Sequence, residues 1–186
     1  MLSSSKEVCE EMTERRLTLR GQFTIDDNAL GTAIQIFSYE AFDMTRGWEI
    51  ESAYCFPSEI RGTYANDGQY VAQHTLLTDT ATFADFDDIT DVADNRQCAW
   101  NIQGYNGRDG NFISNVGSPM TEACRFVCDP HTIIVNKLFI ATTSVNDTGS
   151  SPSRKWNYLV ILKPVKMKPE QTILQIVKGQ GQNISN

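Results

Sequence analysis

The sequence predicts an all-β chain, an antiparallel β-sandwich followed by a short C-terminal helix. Three observations lead there. Apolar and polar residues alternate with a period of two along most of the chain, turn formers separate the alternating runs at short intervals, and a segment of helical character comes only at the end. The 186 residues suffice for one domain with a complete core and no covalent staples. With 40% hydrophobic and 21% charged residues and 9 Phe, 6 Tyr and 3 Trp, the composition is that of a folded chain. The expected layout is an N-terminal extension over residues 1–14, a sandwich over 15–166, and a helix with a tail over 167–186.

The elements follow in order. "RLTLRGQFTI" sets Leu17, Leu19, Gly21, Phe23 and Ile25 against polar neighbours, the pattern of a half-buried strand. "TAIQIFSYEAF" places Ile34 and Ile36 on one face, with Phe37 and Tyr39 on the other. In "GWEIESAYCF", Trp48, Ile50, Tyr54 and Phe56 are expected to share a face, and Pro57 ends the run. "GQYVAQHTLLT" and "QCAWNIQGY" read as strands on either side of the acidic stretch "DTATFADFDDITDVADN". "ACRFVCDPHTIIVNKLFIATTSV" reads as two short strands or one strand broken at Asp129-Pro130. "NKLFIATTSV" and "KWNYLVILKPV" are expected to form a hairpin with "NDTGSSPSRK" as its long tip. The second of these is apolar on both faces, Trp156, Tyr158, Val160 and Leu162 against Leu159 and Ile161, as a strand covered on both sides requires.

The final segment "KPEQTILQIVKG" has Pro169 in the first turn, Glu170 near the N-terminus, Lys178 in the last turn and Gly179 as a stop. Ile173, Leu174, Ile176 and Val177 form one apolar stripe, so the helix is expected to dock through it and cover a sheet edge or face.

Catalytic signatures are missing. There is no G-x-S-x-G elbow, phosphate-binding loop, dinucleotide fingerprint or H-E-x-x-H, and two histidines, His74 and His131, leave little for acid–base chemistry. Neither an enzyme nor a cofactor is expected. The five cysteines, Cys9, Cys55, Cys98, Cys124 and Cys128, are too sparse for a disulfide scaffold and read as reduced thiols. "CRFVCDPH" gathers Cys124, Cys128, Asp129 and His131, but the spacing suits two core thiols better than zinc ligands. Asp79, Asp85, Asp87, Asp88, Asp91 and Asp94 crowd one loop, yet Ile89 stands where an EF-hand needs a ligand, so a solvated loop is preferred to a calcium site. "NGRDGNFISNVGSP" reads as a flexible loop.

"MLSSSKEVCEEMTERR" mixes both charge signs without the apolar core of a secretory signal, so synthesis in a cytoplasm is expected. The longest apolar runs are far shorter than the roughly 20 residues that span a bilayer. The net charge is −7, and it is unevenly spread. Residues 1–20 carry four basic and four acidic side chains, 21–130 five and seventeen, and 131–186 seven and two. One acidic and one basic surface follow from that asymmetry.

About eight short strands, long acidic or Gly-rich connections and a closing "WNYLVIL" strand together resemble the single jelly-roll coat proteins of icosahedral viruses, over residues 15–165. The resemblance implies a sandwich of jelly-roll type and a structural subunit, located in the virion, that self-assembles into an icosahedral shell. It implies as partners other copies of the chain, a second capsid protein, and viral nucleic acid or an internal membrane, with no small-molecule substrate and no metal. Coat proteins that wrap a bare genome commonly carry an Arg/Lys-rich N-terminal arm, and the balanced N-terminus here departs from that pattern. Contact with an anionic interior therefore falls to Lys163, Lys166, Lys168 and Lys178 at the other end. Related jelly rolls serve instead as glycan- or receptor-binding modules, in viral fibres or lectin-like domains; loop aromatics such as Trp100 and Tyr105 would then supply stacking platforms.

Overall fold

The computed structural model describes residues 15–39, 45–58, 69–106, 113–114, 124–146, 149 and 153–180. The N-terminal extension over 1–14, with Cys9, the tail after 180 and most of the "NGRDGNFISNVGSP" loop lie outside the described residues. The strands in chain order are β1 (Leu17–Asp26), β2 (Ile34–Ser38), β3 (Arg46–Pro57), β4 (Gln69–Leu77), β5 (Gln97–Asn106), β6 (Ile113–Ser114), β7 (Val127–Cys128), β8 (Ile133–Ile134), β9 (Lys137–Asn146) and β10 (Ser153–Lys166). A 3-10 turn, Asp87–Thr90, lies between β4 and β5, and helix α1 (Pro169–Gln180) follows β10. Among the described residues no helix is long and apolar enough to cross a membrane.

Two sheets form, β1-β10-β3-β8 and β2-β9-β4-β5-β6, with β7 also pairing β5. All pairings are antiparallel. With the two-residue strands β6 and β7 set aside, eight strands remain. The first pairs the eighth (β1 with β10), the second the seventh (β2 with β9), the third the sixth (β3 with β8) and the fourth the fifth (β4 with β5). That nesting winds one long antiparallel ribbon into two facing sheets, which is the jelly roll.

The same nesting overturns the expected hairpin. β9 and β10 lie in different sheets, β9 between β2 and β4 and β10 between β1 and β3. Turn formers tell the chain to reverse but not which strand it then pairs.

The core lies between the sheets. Trp156, Val160 and Leu162 of β10 and Ile50, Ala53 and Cys55 of β3 face Ala72 and Leu76 of β4, Ala99 of β5, and Leu138 and Ile140 of β9. Each large side chain fully buried there contributes roughly 1.5–3 kcal/mol. β1 behaves as its alternation requires, with Phe23 buried and Leu17, Leu19 and Ile25 packed against the cluster. In β10, Leu159 and Ile161 are only half-buried, so its second face is less covered than expected. Pro164 sits beyond the last β1 partner, since Leu17 pairs Leu162, and only β3 accompanies it.

In β3 the shared face predicted for Trp48, Ile50, Tyr54 and Phe56 is not kept. Leu162 pairs Ile50 and Ile161 pairs Ser52, so Glu51 is an extra residue, a β-bulge. Beyond it the alternation shifts by one, which sends Ala53 and Cys55 into the core and leaves Tyr54 and Phe56 half-buried.

The connection from β1 to β2 crosses from one sheet to the other, against β9. The Asn28 amide donates to the Ser144 carbonyl (2.7 Å) and the Thr143 hydroxyl to the Ala29 carbonyl (2.9 Å). Asn28 takes the left-handed conformation (φ 59°) that Asn tolerates better than most residues. Residues 124–128 bridge the sheets on another side. The Phe126 amide reaches the Ala53 carbonyl of β3 (2.9 Å), and Val127 and Cys128 pair Trp100 and Ala99 of β5.

Candidate assembly surfaces

The acidic stretch between β4 and β5 is not simply solvated. Ala81, Phe83 and Ile89 are buried with Leu77, Phe139 and Ala141, forming a second core on the outer face of the β2-β9-β4-β5 sheet. The carboxylates shape the loop as turn acceptors. Asp88 accepts the amides of Ala84 and Asp85 (both 2.9 Å), Asp85 that of Phe86 (2.6 Å) and Asp91 that of Ala93 (2.8 Å). Gln97 ties the loop to the sheet, since its side-chain amide donates to the Asp88 carbonyl (2.6 Å). Among the described residues, the only cation within ion-pair distance of the loop carboxylates is Arg96, 2.7 Å from Asp94. Asp85, Asp87 and Asp91 are exposed. Among the described residues there is also no group of three or more metal-ligating side chains.

"CRFVCDPH" separates into different roles. Cys124 is buried and Cys128 half-buried, and burial pushes both thiols up, Cys128 to about 11. Cys55, Cys98, Cys124 and Cys128 are all free thiols. Asp129 instead organises a turn. It accepts the His131 amide (2.9 Å) and the Thr132 hydroxyl (2.6 Å), and Lys178 of α1 lies 3.3 Å away. Burial raises the Asp129 carboxyl, but those three donors outweigh it and hold it below the ordinary carboxylate value.

That turn is where α1 docks, and the docking corrects the expectation for the helix. Lys168 is the N-cap, and its amide donates to the Gln171 side chain (3.1 Å), one half of a capping box. Thr172 is buried beside Met167, Gln175 donates to the His131 carbonyl (3.3 Å), and Lys178 reaches Asp129. The helix continues through Gly179 to Gln180. The stripe expected to dock faces outward, with Ile173 52%, Leu174 68% and Val177 57% exposed, and only Ile176 of its four residues half-buried. Polar anchors at positions 172, 175 and 178 outcompete the stripe, which lies about a third of a turn round the helix or more.

Of the predicted basic set, Lys163, Lys166 and Lys168 are exposed, whereas Lys178 is half-buried in its ion pair. Trp100 and Tyr105 both lie on β5, as the strand reading of "QCAWNIQGY" requires and not in a loop as the recognition alternative needs. The Trp100 ring is half-buried, with its indole N–H donating to Gln97 (2.8 Å). The Tyr105 side chain lies outside what the structure describes.

The second apolar surface was not foreseen. On the outer face of the same sheet Val71 pairs Val145 on one side and Gly104 on the other, and Ile102 pairs Gln73 one row further on. Val71, Val145 and Ile102 are 46%, 39% and 59% exposed, and Val127 of β7, which pairs Trp100, is 73% exposed. In the sequence each of these residues reads only as a member of a strand. Which face of a sheet stays bare depends on how the sheets stack, and alternation alone does not carry that. A cleft of about 140 Å³ lies between α1 and the β8–β9 turn, lined among others by Asp79, Lys137 and Lys178. It is smaller than pockets that enclose drug-sized ligands.

No family model matches the sequence, and no curated protein matches it. Among solved structures the chain is similar to one in the structure of infectious bursal disease virus Gx strain, with 14% identity and a TM-score of 0.30. The match covers 83% of this chain and 37% of that one, so this chain spans little more than a third of its length. A likeness of that size assigns no family.

Among the described residues ten large hydrophobics are exposed, and seven of them fall on the α1 stripe or the outer sheet face. Scattered apolar residues on a surface are ordinary, whereas concentrated ones mark contact with another macromolecule.

Proposed function

We propose that this chain is a structural subunit that self-associates into a virus shell, and that it performs no catalysis. The observation that carries the reading is the concentration of exposed hydrophobics on two separate surfaces of a jelly roll. A subunit with two such surfaces can bind neighbours on two sides, which a closed shell requires. The jelly-roll fold supports the reading only by analogy, because the same fold serves unrelated functions. The exposed Lys163, Lys166 and Lys168 would face an anionic interior, either viral nucleic acid or an internal membrane, with Lys178 contributing less because Asp129 holds it. A second capsid protein in the shell belongs to the same proposal. So does the layout of an extension over 1–14, a sandwich over 15–166 and a helix with tail over 167–186.

Negative-stain images of the purified chain test the proposal. Regular closed particles are the expected result. Uniform monomers or small oligomers, together with binding on a glycan array, would replace it with a recognition module. Reversing Lys163, Lys166 and Lys168 to Glu should lower particle yield on an anionic scaffold, and an unchanged yield would remove the interior-facing role of these lysines.

A further inference from the structure

We infer that the outward stripe of α1 in one copy of this chain seats on the outer face of the β9-β4-β5 sheet in a neighbouring copy. The inference names the contact by which the proposed shell subunit would associate, and so rests on that reading. Both surfaces are rich in exposed apolar side chains, and among the described residues of its own chain neither is covered. α1 is fixed by Thr172, Gln175 and Lys178 against the 129–132 turn, which points Ile173, Leu174 and Val177 away from the body that holds it. On the sheet, Val145, Val71 and Gly104 form one row, with Ile102 beside Gly104 on the same strand face. Among the described residues a Cβ built at Gly104 meets nothing within 4 Å, so the row falls away into a notch between Val71 and Ile102. A projecting Leu174 fits such a depression.

Charge selects the same pairing. The apolar sheet face ends at the acidic loop, whose buried Phe83 and Ile89 pack on Leu77 and Phe139 and whose exposed Asp85, Asp87 and Asp91 have no basic partner among the described residues. The helix stripe begins next to the exposed Lys166 and Lys168, with Glu170 the one acidic residue of α1. An apolar centre with a basic rim therefore meets an apolar centre with an acidic rim, the arrangement that steers association and fixes register. Two helix stripes brought together would instead oppose lysines, and two sheet faces would oppose aspartates. The contact is consequently head to tail, and such contacts repeat from copy to copy, into a ring where the rotation closes and into an open filament where it does not.

The test uses the full chain and two variants that leave the fold intact, because Leu174 is exposed and Gly104 opens onto free space without a positive φ. Analytical ultracentrifugation is run on the wild type, on Leu174→Asp, on Gly104→Glu and on an equimolar mixture of the two, with circular dichroism confirming unchanged folding. Each variant alone should associate at least about tenfold more weakly than the wild type. The mixture should recover a dimer and nothing larger, since the intact helix of one variant meets the intact sheet of the other and both remaining surfaces are blocked. Raising the salt from 50 mM to 0.5 M should weaken the wild-type assembly. Wild-type particles that persist in both variants would overturn this contact while leaving the shell reading intact. Small wild-type rings lost in both variants would keep the contact and remove the shell. A wild type that stays monomeric would remove both.

Discussion

Asp27 and Arg154 meet as a completely enclosed ion pair where the β1–β2 crossover passes the start of β10. The guanidinium donates through Nε to Oδ1 (2.6 Å) and through a terminal nitrogen to Oδ2. The Ser144 hydroxyl and the Asn146 side-chain amide (2.8 Å) of β9 complete the carboxylate's shell. One carboxylate thus joins β10 of the first sheet to β9 of the second. Removing two charges from water costs several kcal/mol, and only this dense set of donors offsets it.

The first prediction follows from that arrangement. Asp27→Asn or Arg154→Met leaves a buried charge without its counterion and should cost about 3–5 kcal/mol in urea unfolding. The double variant Asp27→Asn with Arg154→Met should lose clearly less than the sum of the singles. Additive losses would show that the pair is not the source of the coupling.

Gly31 supplies the second. It lies in the same crossover, and a Cβ there would stand 1.7 Å from the Thr142 carbonyl oxygen, a backbone atom that cannot swing aside. Gly31→Ala should therefore destabilise the fold by roughly 3 kcal/mol. Gly104→Ala, which meets open space, should be close to neutral. Equal denaturation midpoints for the two variants would refute the close approach.

The third concerns the acidic loop. Ile89 is fully buried against Leu77 and Phe139, so Ile89→Ala should cost about 2–4 kcal/mol. Amide exchange should then rise first within residues 79–96, because few other apolar contacts hold that segment. Substituting the exposed Val92 by Ala should change neither measurement.

Much of this architecture was legible in the sequence, and the gaps have physical causes. Alternation in "RLTLRGQFTI" gave β1 and its inward face correctly, since the strand is regular and one-sided. It failed in "GWEIESAYCF", because a bulge at Glu51 inserts one residue and moves every later side chain to the other face. The separation of β9 and β10 was hidden because pairing partners are chosen by distant strands, β2 and β4 for one, β1 and β3 for the other. The start of α1 was readable from Pro169 and Glu170, but its end, which runs past Gly179 to Gln180, and its docking side were not. A helix with Asp129 and Thr132 within reach of Lys178 is oriented by those polar contacts, and apolar periodicity is silent about them. The candidate site suffered most, since the bare outer sheet face is a property of two stacked layers.

The last prediction rests on His74. Its ring is fully buried, edge-on to Trp156 at 4.6 Å between centroids, with Nδ1 2.9 Å from the Thr142 hydroxyl and no partner for Nε2 among the described residues. Burial alone pulls its pKa from 6.5 down to about 3, so the folded chain holds the ring neutral. In the unfolded chain the ring takes up a proton below pH 6.5, and the folded form refuses it. The His74 contribution is therefore complete above pH 6.5 and drains away as the pH falls toward 3, reaching roughly 4 kcal/mol lost at pH 3.5. Unfolding free energies measured from pH 7.5 to 4.5 should fall with a slope approaching about 1.4 kcal/mol per pH unit below 6.5. His74→Leu, which keeps the site apolar and removes the titration, should flatten that slope. The steepening that carboxylates such as Asp129 cause below pH 4 should remain, because those groups sit below their ordinary values in the folded chain. A wild type whose stability is level from pH 6.5 to 4.5 would mean that water reaches the ring, and with it that the interface between the two sheets at His74 and Trp156 opens.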